Sequence, residues 1–265
     1  MNKLVFVGLG LNDEKGISLK GLEEVKNADS VFMELYTSLM PDFSLQRFED
    51  LCGKKVQLVS RSDLEEENGG VILEAAKKGK TLFLVPGDPF IATTHVTLRV
   101  EAENLGIKTR VIHGTSIISA IVSLSGLHNY KFGKTVTVPF PENFSETPYN
   151  VVAQNKTLGL HTLCLLDLKA NEKQFLNINQ ATAMLLEVEE RKNQRVITLD
   201  TPAVGVARAG SDNPTLKADF LKDLATFNFG EPPYSLIFPG EMHFMEIDSL
   251  IAFAGAPSEF RSLAK

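Results

Sequence analysis

The feature that most restricts the fold of this chain is a series of short apolar runs rich in Val, Leu and Phe. They are LVFVG at 4–8, SVFMEL at 30–35, VQLV at 56–59, TLFLV at 81–85 and TRVIH at 109–113. A strand that faces solvent on one side alternates apolar and polar residues. Continuous runs belong to strands covered on both faces, as in a mostly parallel sheet between helices. Helical patterns fill the intervals. Ser18 is placed as an N-cap ahead of Leu19, Leu22, Val25 and Ala28, and Ser44 ahead of Leu45, Phe48, Leu51 and Cys52, with Gly53 set to end the second helix. A third helix is expected from Asp88-Pro89 to near Gly106, because Asp caps well and Pro suits the first helical position. Strands alternating with helices specify an α/β fold.

The second half is expected to follow the same logic. TVTVPF at 135–140, HTLCLLDL at 161–168, AVGVARA at 203–209 and YSLIFPG at 234–240 are expected as strands, and SIISAIVSLSG at 116–126 and QATAMLLEVEERK at 180–192 as helices. The polar segment PENFSETPYN at 141–150 is expected as an exposed loop, and the tail after Gly255 as a short surface segment. A chain of 265 residues accommodates two such domains. The boundary is placed where the fifth strand ends, giving domains 1–113 and 114–265.

Charge and composition narrow the function. A net charge of −6 with no run of Lys or Arg argues against direct nucleic-acid binding, whose affinity comes largely from neutralised phosphates. No apolar stretch approaches the roughly 18 to 20 residues of a membrane span, and the opening MNKLVFVGLG is too short for a secretory signal. Cys52 and Cys164 lie far apart without a pairing motif, so a reducing cytoplasm is the expected location. The histidines at 95, 113, 128, 161 and 243 show none of the usual metal-ligand spacings, and no metal is expected.

Two glycine turns follow expected strands. VGLGLNDEKG, Val7 to Gly16, has the first two glycines of a dinucleotide fingerprint but Asp13 at the third position, and it lacks the Gly-Lys-Ser/Thr of a Walker loop. Asp13 and Glu14 within the turn would repel a pyrophosphate. LVPGDPFIATTH, Leu84 to His95, sets Asp88 at the carboxyl end of a buried strand, where open α/β sheets bind ligands. Ile91, His95, Leu98, Ala102 and Leu105 share a helical stripe, which makes His95 either a hydrogen-bonded core residue or a site wall. Gly114-Thr115-Ser116-Ile117 fails the nucleophile-elbow spacing, and Ser116 is expected as an N-cap. No nucleophile–base pair stands out. Acidic glycine turns without metal or nucleophile suit an adenosine ligand that lacks phosphates; S-adenosylmethionine is one of several nucleosides that satisfy this.

Taken together, the motifs resemble the diphthine synthase family of the tetrapyrrole methylase-like class of S-adenosylmethionine-dependent methyltransferases. The matching segments include VGLGLNDEKGISLKGLE, MELYTSLM at 33–40, VPGDPFIATTH, VIHGTSIISA at 111–120, GLHNYKFGKTVT at 126–137, LGLHTLCLLDLKA at 158–170, DTPAVGVARAGS at 200–211 and FGEPPYSLIFPG at 229–240, in the family's order across nearly the whole chain. The resemblance implies two α/β domains of tetrapyrrole methylase type with the ligand cleft between them, in a homodimer. Carried over position by position, it implies that S-adenosylmethionine, and the product S-adenosylhomocysteine, are lined by Leu11, Asp88, Ile91, Ser116, Ile117, Leu166, Ala209 and Tyr234. Tyr234 stands where relatives generally have histidine. The implied reaction is methylation of the amino group on the 3-amino-3-carboxypropyl arm of the modified histidine of translation elongation factor 2, a step of diphthamide biosynthesis. Methyl transfer from a sulfonium needs alignment more than a base, so no catalytic residue is assigned. His95, Asp167 and Tyr36 are the groups to test for one. The competing readings are a corrin or tetrapyrrole methyltransferase of the same class, a non-catalytic nucleoside-binding module and, more remotely, a dehydrogenase.

Overall fold

The computed structural model describes residues 3–265, and the chain divides into two compact units, Met1–Ile117 with Ala170–Glu172, and Ile118–Lys169 with Lys173–Lys265. The first unit contains β1 (Lys3–Gly8), α1 (Leu19–Lys26), β2 (Ser30–Met33), α2 (Leu45–Cys52), β3 (Gln57–Leu58), α3 (Arg61–Glu65), α4 (Gly70–Ala76), β4 (Lys80–Val85), α5 (Val96–Asn104) and β5 (Lys108–Ile112). Its strands run β3-β2-β4-β1-β5 and every pairing is parallel. Val5, Val7, Leu82 and Leu84 pack with Val25 of α1 and Phe48 of α2, whereas Leu4, Phe6, Phe83 and Val85 pack with Ile72 of α4 and Leu98 of α5. Successive residues thus enter opposite cores, which is why the runs are continuous. Each such side chain contributes about 1.5–3 kcal/mol by leaving water.

Local signals set most of the helix ends. The Ser18 and Ser44 hydroxyls accept from Gly21 N–H and Arg47 N–H, and Gly53 closes α2 in the left-handed conformation. Two expectations fail here. Leu19 is 81% exposed, and α1 ends at Lys26, so Ala28 is buried beyond the helix rather than on its stripe. Asp88-Pro89 does not start a helix: Ala92 has φ of 56°, which breaks the right-handed path, and α5 begins only at Val96 with His95 as its N-cap. His95, Leu98 and Ala102 are buried, but Ile91 and Leu105 are exposed.

The second unit is built on a different plan. It contains α6, which starts at the division (Ile117–Ser125), then β6 (Val136–Val138), α7 (Thr147–Thr157), β7 (Thr162–Leu166), β8 (Leu168–Lys169), β9 (Gln174–Phe175), α8 (Ile178–Lys192), β10 (Pro202–Ala207), β11 (Thr215–Phe220), α9 (Leu221–Leu224), β12 (Tyr234–Phe238) and α10 (Phe244–Ala254). Its main sheet runs β11-β10-β12-β7-β6, with β6 and β7 parallel and the other neighbours antiparallel. It therefore does not repeat the logic of the first unit. The segment 141–150 is not simply an exposed loop. Pro148 lies in the first turn of α7, Tyr149 is fully buried, and its hydroxyl donates to Glu189 Oε2 of α8 at 2.8 Å. The tail after Gly255 is anchored as well, because Phe260 is fully buried with its ring 5.2 Å from that of Phe220.

Candidate active site

In the first unit the loops leaving β4, β1 and β5 meet at the carboxyl edge of the sheet. Gly10 N–H donates to Gly87 O at 3.2 Å and Gly87 N–H donates to Gly10 O at 2.7 Å. Gly8 lies against Gly114 so closely that a Cβ on Gly8 would stand 2.5 Å from the Gly114 nitrogen. Gly87 has φ of 67°, a conformation that side chains with a Cβ rarely adopt. The result is a floor made of backbone. Leu11 Cδ2 and Thr115 O border it, 3.8 and 3.9 Å from where a Cβ of Gly87 would lie, and Ser116 and Ile117 follow Thr115 directly.

Asp88 leaves this floor as a nearly buried carboxylate, 8% exposed. Its Oδ2 lies 2.8 Å from His113 Nδ1, and its Oδ1 accepts from Phe90 N–H at 3.2 Å, closing a local turn in place of the expected helix cap. Ile91 N–H donates to Asp88 O at 3.3 Å, which brings Ile91 to the rim. One strand away, Glu34 directly follows β2 and is fully buried. Glu34 Oε2 accepts from Tyr36 N–H at 2.8 Å and Thr37 N–H at 3.0 Å, while Oε1 accepts the Thr37 hydroxyl and faces His95 Nε2 at 3.2 Å. His95 is therefore tied to a carboxylate inside the protein and serves the core reading of its stripe.

The acidic residues of the first turn point elsewhere. Asp13 accepts from Lys15 N–H, and Glu14 meets Arg47 Nε at 2.5 Å, an ion pair that holds the Glu14 carboxyl below its ordinary range. Their charge is directed to the start of α2, so they do not carry the argument against phosphates. That argument passes to Asp88 and Glu34, whose basic partners are histidines rather than Lys or Arg. Among the described residues no group of three or more His, Cys, Asp or Glu side chains is arranged to hold a metal, and no helix is long and apolar enough to cross a membrane.

The other three expected ligand-lining residues belong to the second unit and gather at one end of its main sheet. Tyr234 registers with Ala207, and Leu165 with Ser235, so Leu166 and Tyr234 are the next residues on neighbouring strands. Arg208 N–H donates to Pro233 O at 2.9 Å, and buried Ala209 follows it. The Tyr234 hydroxyl donates to Gly230 O at 2.5 Å, and burial pushes the phenol above its ordinary value. The Asp167 carboxylate accepts from Leu168 N–H at 2.9 Å and Phe140 N–H at 3.4 Å.

A second fully buried carboxylate, Glu246 at the start of α10, lies in the same unit. It accepts from His161 Nε2 and His128 N–H, each at 2.8 Å, from Lys131 Nζ at 2.7 Å and from His243 N–H at 2.8 Å. Burial works to raise its pKa, but Lys131, the two backbone N–H groups and His161 together hold it at about 2. Neither Glu34 nor Glu246 stands out in the sequence. The available signal was the position of Glu34 at the end of an uninterrupted apolar run.

Residues 3–225 match the family model of Tetrapyrrole (Corrin/Porphyrin) Methylases. The chain is 47% identical to the diphthine synthase of Methanosarcina barkeri over 264 residues, covering 97% of this chain and 98% of that protein. Against the diphthine synthase of Methanocaldococcus jannaschii it is also 47% identical, over 93% of this chain and 97% of that one. A crystal structure of diphthine synthase superposes with a TM-score of 0.90 at 43% identity, covering 99% of this chain and all of that one. The chain belongs to the diphthine synthases, methyltransferases of the tetrapyrrole methylase family.

Proposed function

We propose that the protein transfers methyl groups from S-adenosylmethionine to the amino group of the 3-amino-3-carboxypropyl arm on the modified histidine of translation elongation factor 2. The observation that carries this reading is the backbone floor at Gly8, Gly87 and Gly114, edged by a nearly buried Asp88 whose side-chain partner is a histidine. Such an edge fits a nucleoside with a cationic centre and no phosphates: the floor admits close approach, and the carboxylate favours positive charge. Asp88, Leu11, Ile91, Ser116 and Ile117 would hold the methyl donor from the first unit, and Leu166, Ala209 and Tyr234 are the residues the family resemblance adds from the second. When bound, S-adenosylmethionine supplies a methyl group already activated by its sulfonium charge.

The work left to the protein is to align the two reactants and keep water out, which in favourable cases is worth roughly 7–11 kcal/mol. No general base is assigned, since His95 and Asp167 are both engaged in internal hydrogen bonds. The protein is taken to act in the cytoplasm as a homodimer; elution as a monomer at micromolar concentration would remove the second part.

Incubation with labelled S-adenosylmethionine and elongation factor 2 bearing the unmethylated arm tests the reaction. Label should enter the factor. Label entering only a tetrapyrrole, or tight donor binding with no transfer, overturns the reading. In calorimetry, Asp88→Ala should weaken donor binding about tenfold, the loss of one charge-assisted contact. Unchanged binding takes Asp88 out of the donor site.

A further inference from the structure

The turn Glu34–Thr37 is fixed from four directions, by two backbone N–H groups, one hydroxyl and one buried imidazole, all on the Glu34 carboxylate. The side chain this turn carries is Tyr36. Its ring is buried, 5% exposed, and meets His95 edge-on with centroids 6.3 Å apart. The guanidinium of Arg61, at the start of α3, lies 5.4 Å from the ring centroid, and the Arg61 side chain is itself 59% exposed. The Tyr36 hydroxyl is buried without a hydrogen-bond partner. If tyrosine served only to pack here, phenylalanine would do so without stranding a hydroxyl, which destabilises a fold until something pairs with it.

Two properties indicate what would pair with it. Burial, assisted by the Glu34 and Glu65 carboxylates, pushes the Tyr36 phenol well above its ordinary value, so it keeps its proton and donates. Beside it stands the Arg61 guanidinium on a flexible, largely exposed stem, 3.8 Å from the part-exposed Glu65 carboxylate, an ion pair that an incoming carboxylate would share or displace. One O–H donor next to one cation matches a carboxylate.

We propose that the Tyr36 hydroxyl, with Arg61, binds the carboxylate of the acceptor's amino-acid arm, and that Glu34 and His95 are positioning residues that hold the tyrosine in place. The proposal rests on the reading that the acceptor is such an arm on a protein. In that arm the carboxylate and the amino group share a carbon. An anchor on the carboxylate presents the amino group for methylation and does not change as methyl groups accumulate. The phenol neither loses its proton nor forms a bond in the reaction.

The test is steady-state methyl transfer to elongation factor 2 carrying the unmethylated arm. Tyr36→Phe should raise KM for the factor roughly tenfold or more, the loss expected for a hydrogen bond to a charged group. Its S-adenosylmethionine affinity by calorimetry and its unfolding temperature should be no lower than those of the unaltered protein. Arg61→Ala should raise the same KM, and Arg61→Lys should recover part of the loss. An unchanged KM in Tyr36→Phe overturns the assignment while transfer by the unaltered protein still stands. Absence of transfer by the unaltered protein overturns both the assignment and the reading it rests on. A lowered unfolding temperature and kcat with KM unchanged marks Tyr36 as structural and also overturns it.

Discussion

Each half of the molecule buries one glutamate against one histidine, and the two pairs serve different ends. Glu34 and His95 lie at the carboxyl edge of the parallel sheet, and the remaining partners of Glu34 come from the next three residues of its own loop. Glu246 and His161 lie in the mixed-sheet unit, and the other partners of Glu246 come from separate places in the chain, Lys131 and His128 on one side and His243 on the other. The first pair shapes a loop. The second ties the start of β7, the turn at 128–131 and the start of α10 into one block. The same two side-chain types make a local clamp or a long-range bolt according to how far along the sequence their partners lie.

The largest expected effect that would break this comparison is on stability. Glu246→Ala leaves the His161 ring N–H and two backbone N–H groups without their acceptor and removes the carboxylate facing Lys131, and should cost about 3–5 kcal/mol in denaturant unfolding. A loss under 1 kcal/mol would deny Glu246 its role as a bolt. Glu34→Gln keeps the shape and removes the charge. It should cost about 1–3 kcal/mol of stability but lower kcat/KM for the acceptor about tenfold, because the turn carrying Tyr36 loosens. A stability loss as large as that of Glu246→Ala, or an unchanged kcat/KM, would erase the distinction between the two pairs.

The smallest effect is on pH dependence. Burial lowers the His161 pKa below its ordinary 6.5, and Glu246 falls from 4.5 to about 2. In both cases the unfolded chain binds more protons than the folded one between the two values. Stability must therefore fall as pH drops, first below 6.5 through His161 and then from 4.5 toward 2 through Glu246. Amide exchange in α10 should accelerate across that range, and constant protection down to pH 3 would contradict the assignment.

How far these features were legible in the sequence depends on whether their cause is local. The strands β1 and β4 announce themselves because burial on both faces makes their centres apolar, whereas β5, at the sheet edge, is only partly buried; the serine caps at Ser18 and Ser44 act within three residues. The parallel first sheet was readable for that reason. Asp88-Pro89 misled because the local chemistry of a helix start was present while Ala92, carrying no sequence signal, turns left-handed. The helix α7 was hidden by polar residues in its first turn, although Tyr149 is drawn into the core by Glu189, 40 residues on. β11 pairs as an edge hairpin with β10 and shows no continuous apolar run. Buried carboxylates are the hardest case. Nothing in the sequence marks Glu34 and Glu246 as buried and paired until their partners, 61 and 85 residues away for the two histidines, are known. The glycine turns and Gly-Asp-Pro were visible as a candidate site. Tyr36 was visible only as a possible base, and its stranded hydroxyl could not be seen without coordinates.

The backbone contact between Gly8 and Gly114 has a practical consequence for engineering. In a library randomised at both positions, active clones should converge on the starting pair, because any β-carbon there must push apart two strands' exits at once. Ile91, exposed and free of that squeeze, should tolerate more substitutions than either glycine. Attempts to retune which acceptor is methylated belong on the rim, with the paving beneath it left alone.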